Sequence, residues 1–155
     1  MKHDWKKLLV ALAIPLGVGA LGALLSGGMS DYGAMNKPPL SPPGWVFPVV
    51  WTVLYLLMGY ASYLVWTSDA EPGKKRGALI LYGAQLAANF IWPLLFFGAQ
   101  MFLLALIWLV VLWTLIFLTI RAFSRINERA GDLLIPYILW VTFAAYLNLG
   151  IFLLN

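Results

Sequence analysis

The chain has 155 residues, 63% of them apolar and only 10% charged. An ordinary soluble domain carries about 25% charged residues. No cysteine is present, which excludes disulfide frameworks, thiolate metal sites and cysteine nucleophiles. The formal net charge of +4 is no nucleic-acid signature here, because the basic residues sit in short segments between long apolar runs. Each run is about 20 residues, enough to cross a bilayer at about 1.5 Å per residue. The chain therefore reads as an all-α integral membrane protein, a single membrane domain over 1–155 built as a five-transmembrane-helix bundle.

The first span is expected over 5–26. Lys2, Lys6 and Lys7 precede it as they would a signal peptide, but the run from Leu8 to Leu25 is long and no A-x-A site ends it. It is read as a retained helix. Pro15, Gly19, Ala23 and Gly27 recur every four positions, a ridge of small residues that a second helix can approach. The segment 27–44 is a loop, since Pro38, Pro39, Pro42 and Pro43 favour stiff extended backbone. A second span follows over 45–67, with Pro48 in its first turn. Asp69, Glu71, Lys74, Lys75 and Arg76 mark an aqueous linker.

From Leu79 to Ile120 no residue is charged, a stretch of 42 positions that holds two spans. Gly98, Ala99 and Gln100 are its most flexible point, so a hairpin there separates a third span over 77–97, bent at Pro93, from a fourth over 101–122. Arg125, Glu128, Arg129 and Asp132 form the next polar segment, and a fifth span covers 133–154 with Pro136 in its first turn. With five spans, nine of the ten Lys and Arg residues fall on one side and only Lys37 on the other. The positive-inside rule then gives a cytoplasmic N-terminus and an outside C-terminus.

No ionisable residue lies in the middle of a span, and the single histidine is His3. Ion- and proton-coupled transporters place ionisable groups there, and hydrolytic catalysis needs acids, bases or a metal. No catalytic residue and no metal site is expected. The polar groups that remain are neutral. Gln85 and Asn89 share one face of the third span, and Asn148 lies in the fifth with Thr142 nearby. These amides either tie helices together or present a polar tip to a ligand in an apolar cavity. Aromatics number 24, eight of them Trp. Trp5, Trp45 and Trp66 fall at span ends, where interfacial anchoring explains them. Trp51, Trp92, Trp108, Trp113 and Trp140 lie deeper and could pack the bundle or line a pocket for a flat ring system.

Three motifs carry a resemblance. The run Asn36-Lys37-Pro38, then Pro42-Pro43-Gly44-Trp45-Val46-Phe47-Pro48-Val49-Val50-Trp51-Thr52-Val53-Leu54-Tyr55, is similar to the first loop and second helix of the translocator protein family. That family is also known as the tryptophan-rich sensory protein or peripheral-type benzodiazepine receptor family. Gln85-Leu86-Ala87-Ala88-Asn89-Phe90-Ile91-Trp92-Pro93 resembles its third helix, and Pro136-Tyr137-Ile138-Leu139-Trp140 with Ala144, Leu147 and Asn148 its fifth. The resemblance implies a bacterial-type member: a five-helix bundle with an internal ligand cavity, covered by a lid loop that includes Tyr32, Pro42 and Pro43. It implies a receptor or carrier in the cell membrane for porphyrins such as protoporphyrin IX or haem, with no cofactor required. Sterols and benzodiazepine-type or isoquinoline drugs are further ligands it implies.

By position, Trp51, Tyr55, Asn89, Phe90, Trp92, Trp140 and Ala144 would line the pocket, Ala144 leaving clearance for the ligand. The family often carries Trp where this chain has Asp31 and Leu40, which weakens the alternative of a light-dependent porphyrin-degrading enzyme. A structural membrane protein with a vestigial cavity is the other alternative. The animal members' sterol-associated Tyr-plus-basic segment is also missing, because Asn148 is followed by Leu149-Gly150-Ile151 and no later Lys or Arg. The expected partners are the lipid bilayer, a hydrophobic small molecule and, through the small-residue pair Gly83 and Ala87, a second copy in a homodimer. Nucleic acid is not among them. Reporter fusions after Glu71 and after Asn155 should read opposite sides of the membrane, and matching signals would overturn the five-span topology.

Overall fold

The computed structural model describes residues 4–27 and 32–155. Lys2, His3 and Asp31, which enter the sequence argument, lie outside the described residues. All regular secondary structure among the described residues is helical, with no strand. Helix α1 spans Trp5–Leu25, α2 Val46–Trp66, α3 Pro72–Pro93, α4 Phe102–Ile126, α5 Glu128–Asp132 and α6 Ile135–Leu154. Five segments are long and apolar enough to cross a membrane: Trp5–Leu25, Val46–Trp66, Pro72–Gly98, Phe102–Ile126 and Glu128–Leu154.

The helix ends follow local chemistry. The Asp4 side chain accepts from the Lys7 N–H and caps α1. Pro72 opens α3, where its missing N–H costs nothing, so that helix starts well before the expected residue 77 and absorbs Lys74, Lys75 and Arg76 into its first turns. Lys75 Nζ donates to the carbonyls of Trp66 (3.0 Å) and Ser68 (2.8 Å), closing the C-terminal end of α2. Pro93 has no N–H to offer the carbonyl of Asn89, and the α-helix passes there into a π turn over Leu94–Gly98. Gln100, in the left-handed region at φ 52°, completes the hairpin into α4. Helix α4 runs on to Ile126, beyond the expected 122, and Asn127 caps the short α5 that precedes α6.

The core lies among α2, α3, α4 and α6. Ala105, Leu109, Leu112, Ile116, Thr119 and Phe123 are buried on α4 at alternating spacings of four and three, the seam of a left-handed bundle. Leu54, Met58, Ala61 and Val65 form the matching stripe on α2. Most hydroxyls inside the spans satisfy themselves on their own helix: Thr52, Ser62, Thr114, Thr119 and Thr142 each donate to a carbonyl three or four residues back. Gly83 and Ala87 are exposed, on the face of α3 turned away from the bundle.

Helix α1 packs against α2 and α3 at the edge of this core. Gly59 makes the closest approach: a Cβ there would come within 2.7 Å of the Ala11 carbonyl oxygen and 3.0 Å of Leu12 Cα. Both are backbone atoms, so relief requires moving α1. Gly59→Ala should lower stability by about 1–3 kcal/mol. Gly17→Ala, on open space, should leave it unchanged or slightly raised. Thermal unfolding in micelles followed by circular dichroism checks the pair, and equal transitions would mean that the α1–α2 contact is loose.

Candidate functional site

Where α1 and α2 contain Gly19 and Tyr55, the two helices stop meeting directly. A Cβ on Gly19 would fall on the Tyr55 ring, so glycine is what lets that ring lie across the gap. Beyond this point, toward the loop, opens a cavity of about 540 Å³. Helix α1 supplies Leu16, Gly19, Ala20 and Ala23 to its wall. Helix α2 supplies Phe47, Pro48, Trp51, Thr52 and Tyr55, and α3 closes the back with Asn89, Trp92 and Pro93, helped by Phe97 of the π turn. No lining residue is charged. Ala20, Ala23, Pro48 and Thr52 are exposed, so the rim lies between α1 and α2.

The small-residue ridge of α1 thus has two tasks. Its Pro15 end is buried in the bundle, while its Gly19 and Ala23 end makes room for the cavity. The aromatic wall is built from ordered ring contacts. Trp51 stacks on Tyr55 with centroids 5.6 Å apart, and Trp51 meets Tyr137 of α6 edge-on at 6.2 Å. Trp92 stacks on Phe96 at 5.0 Å and meets Phe97 edge-on at 5.8 Å.

The polar edge of the cavity is one connected chain. Tyr55 Oη donates to Asn89 Oδ1 (2.9 Å), and Asn89 Nδ2 donates to Tyr137 Oη (2.7 Å). Tyr137 Oη in turn donates to Gln85 Oε1 (2.7 Å). Asn89 therefore does both things open to it in the sequence, tying helices and facing the cavity. Asn148 is a tie: its Oδ1 accepts from Trp92 Nε1 (3.2 Å) and its Nδ2 donates to the Phe102 carbonyl (2.8 Å), joining α3, α6 and the start of α4. Among the described residues, no three or more His, Cys, Asp or Glu side chains come together as a metal site would need.

Of the residues expected to line the pocket, Trp51, Tyr55, Asn89 and Trp92 do so. Three stand elsewhere. Phe90 is turned toward Gly22 of α1. Trp140 meets Phe47 edge-on at 5.8 Å, on the side of that ring away from the cavity. Ala144 borders a separate void of about 10 Å³ that it shares with Tyr32, Phe47, Trp92 and Asn148. The cause is Phe47, whose buried ring fills the space between α2 and α6. The sequence motif puts Phe47 one turn before Trp51, yet only the packing reveals it as a partition. Ala23 belongs to the small-residue ridge, but Leu16 and Ala20 of α1 carry no motif, and no sequence signal marked them.

The loop is fastened on the opposite side from the rim. Tyr32 Oη donates to the Pro42 carbonyl (2.7 Å), and the Tyr32 ring packs edge-on to Phe47 at 5.1 Å. Burial pushes the Tyr32 phenol above its ordinary pKa. Tyr146 Oη of α6 donates to the Pro39 carbonyl (2.6 Å), and the Asn155 side chain exchanges hydrogen bonds with the Asn36 backbone (3.2 and 2.7 Å). Leu40, in the left-handed region at φ 69°, stands 85% exposed at the loop's apex. Pro43 is exposed beside it.

Such an arrangement, a multi-span bundle with an uncharged aromatic cavity beside a proline-rich loop, defines a class of membrane protein. The profile of the TspO/MBR family matches residues 11–154, and the chain belongs to that family. It is 39% identical over 155 residues to the tryptophan-rich sensory protein of Cereibacter sphaeroides, covering 100% of this chain and 95% of that one. It is 37% identical to the tryptophan-rich protein TspO of Chlorobaculum tepidum, over 96% of this chain and 95% of the relative. The translocator protein of Ovis aries is 36% identical over 96% of this chain and 89% of its own length.

Lys37 holds the loop from within. Its ammonium donates to the carbonyls of Tyr32 (2.9 Å), Met35 (3.1 Å) and Gly33 (3.4 Å) and lies 4.8 Å from the centre of the Tyr32 ring. Removing charge-assisted bonds of this kind commonly costs about 1.5 kcal/mol or more. Lys37→Met should therefore speed amide hydrogen exchange over residues 32–41 by roughly tenfold while α4 is unaffected. Unaltered exchange in the loop would show that Lys37 is dispensable to it.

Proposed function

We propose that the protein is a receptor or carrier that binds porphyrins, haem or similar planar hydrophobic molecules in the cavity between α1, α2 and α3. Membership of the TspO/MBR family supports a membrane receptor or sensor role, and relatives carry the names sensory protein and translocator protein. The observation that carries the ligand class is the cavity itself. Its volume of about 540 Å³ falls within the roughly 300–1,000 Å³ of small-molecule pockets. Its wall is made of ring faces and small apolar residues, with one neutral polar edge at Tyr55 and Asn89. A flat amphiphile stacks on Trp51 and directs a polar group to that edge. The absence of charge in the wall leaves binding uncoupled from any ion or proton carried by the lining residues.

The orientation belongs to the same reading: a cytoplasmic N-terminus puts the cavity and loop at the outer end of the bundle in a bacterial cell membrane. The site is tested by adding bulk at its rim. Ala23→Phe puts a ring into the space a ligand would need, and overpacking of about 1–3 kcal/mol corresponds to a loss of roughly 5- to 150-fold in affinity. Trp140→Ala, behind Phe47, should change affinity by less than about threefold if its loss costs under 0.7 kcal/mol. Soret-band titration of purified protein with protoporphyrin IX, in the dark, reads both. If Ala23→Phe binds as the parent does and Trp140→Ala does not, the ligand sits on the α6 side of Phe47. The same titration under light separates a receptor from an enzyme, since an enzyme loses the Soret band faster than a Trp140→Phe control does.

A further inference from the structure

Behind the cavity's polar edge lies a chain with an unusual property. Tyr55, Asn89, Tyr137 and Gln85 are linked by three hydrogen bonds that all run inward, each group donating to the next. Gln85 is 1% exposed, and its Nε2 has no partner at the inner end. A carboxamide's oxygen and nitrogen are nearly isosteric, so turning the end of Asn89 and of Gln85 by half a turn exchanges donor for acceptor without changing shape. In that reversed state Gln85 Nε2 donates to Tyr137, Tyr137 to Asn89 Oδ1, and Asn89 Nδ2 to Tyr55. Three bonds are again made, and again one polar group of Gln85 is left over. The two directions make the same number of hydrogen bonds within the chain. What differs is the cavity end: in the first state the Tyr55 hydroxyl presents only lone pairs to the cavity, and in the second it presents its proton.

We propose that Tyr55, Asn89, Tyr137 and Gln85 form a reversible hydrogen-bond relay that lets one cavity accept ligands bearing either a donor or an acceptor, with Gln85 as the positioning residue that keeps the two directions balanced. The inference rests on the reading that a ligand occupies this cavity. No bond is made or broken and no proton changes owner; hydroxyl rotation and amide turning suffice. All four members are neutral and lie on three membrane helices, α2, α3 and α6, so in lipid they have no water to fall back on. A fixed chain would reject half of the ligand chemistries by leaving a buried polar group unpaired.

Carbazole and 9-fluorenone test the relay, being planar tricycles of nearly the same shape with one N–H donor and one carbonyl acceptor respectively. Tryptophan-quenching titrations of the parent protein should find both bound. In Gln85→Met the inner end no longer accepts, an inward chain strands the buried Tyr137 proton, and the outward direction prevails. The fluorenone-to-carbazole affinity ratio should then rise roughly tenfold over the parent, about the worth of one hydrogen bond. Gln85→Glu, whose carboxyl when protonated can donate or accept, should keep the parental ratio. Because a ratio to the parent is read, differences in lipid partitioning between the probes cancel.

Should Gln85→Met fail to fold, the parent protein still decides. Gln85 and Gln100 are its only glutamines, so side-chain 13C-carbonyl labelling gives two infrared signals. The Gln85 signal should differ between the carbazole and fluorenone complexes while the Gln100 signal stays. An unchanged ratio in Gln85→Met, or the same Gln85 carbonyl signal in both complexes, overturns the relay while leaving the cavity intact. If neither probe binds the parent protein, the cavity reading falls and the relay with it.

Discussion

Every polar group inside a bilayer must find its partner within the protein, and the architecture of this bundle follows from how few groups it leaves to be satisfied. Most serine and threonine hydroxyls donate within their own helices, and Thr142 Oγ1 in addition accepts from Trp113 Nε1 (2.9 Å), tying α6 to α4. Long-range ties fall to a small set of amides, phenols and indoles: Asn89 to Tyr55 and Tyr137, Asn148 to Trp92 and Phe102, Trp108 Nε1 to the Ala88 carbonyl at 2.8 Å. Most of these ties end on α3. That helix carries Gln85, Asn89 and Trp92 on successive turns of one face, and Pro93 then halts its α-helical ladder. It acts as the fixed wall against which α6 is bonded and α1 is merely packed.

This division explains where space exists. Helix α1 contributes no hydroxyl or amide to a ligand-facing tie; its cross-helix hydrogen bond runs from the Asp4 N–H to Tyr63 Oη at 3.2 Å, at the end remote from the cavity. Close packing at Gly59 holds the same end. Toward the loop, Gly22 and Ser26 touch α3 and the π turn, but the face toward α2 is left open. The loop does not close this gap, because its own bonds run to α6 through Tyr146 and Asn155. Rim and strap therefore lie on opposite flanks, and the cavity is bordered by lipid where the loop gives it no cover.

The five spans were legible because length and charge alone mark them, and the hairpin at Gly98-Ala99-Gln100 because it is the polar interruption in an uncharged stretch. Which faces point inward was not legible. Helices such as α4 are apolar on every side, so the buried seam from Ala105 to Phe123 has no contrast against the lipid-facing Leu103, Val110 and Phe117. The same loss of contrast hid much of the role of α1, whose cavity-lining Leu16 and Ala20 look like any lipid-facing residues. Trp51, Tyr55, Asn89 and Trp92 stood out because polar and aromatic groups are scarce at that depth and recur within the motifs. Trp140 and Ala144 belong to those motifs too, but the single ring of Phe47 puts them behind a partition. Side-chain packing at that scale is settled by three dimensions rather than by spacing. The early start of α3 at Pro72 was obscured by its charges, which lie in the aqueous turn of a helix that continues into the membrane.

A cavity bordered by acyl chains changes what binding energy means. A flat hydrophobic molecule that reaches the rim from the bilayer has already left water, so burying it against Trp51 exchanges lipid contacts for protein contacts and gains little from the hydrophobic effect. Shape, ring stacking and hydrogen bonds must then do the discriminating. Shape is set by the ring faces and small residues that line the cavity. Stacking is tolerant of chemical detail. What remains is the polar edge at Tyr55 and Asn89, the position at which two ligands of equal shape and equal lipid solubility differ in affinity. On the proposed reading, selectivity rests on neutral hydrogen bonds, whose strength in a site without water depends on groups such as Gln85 at the far end of the chain.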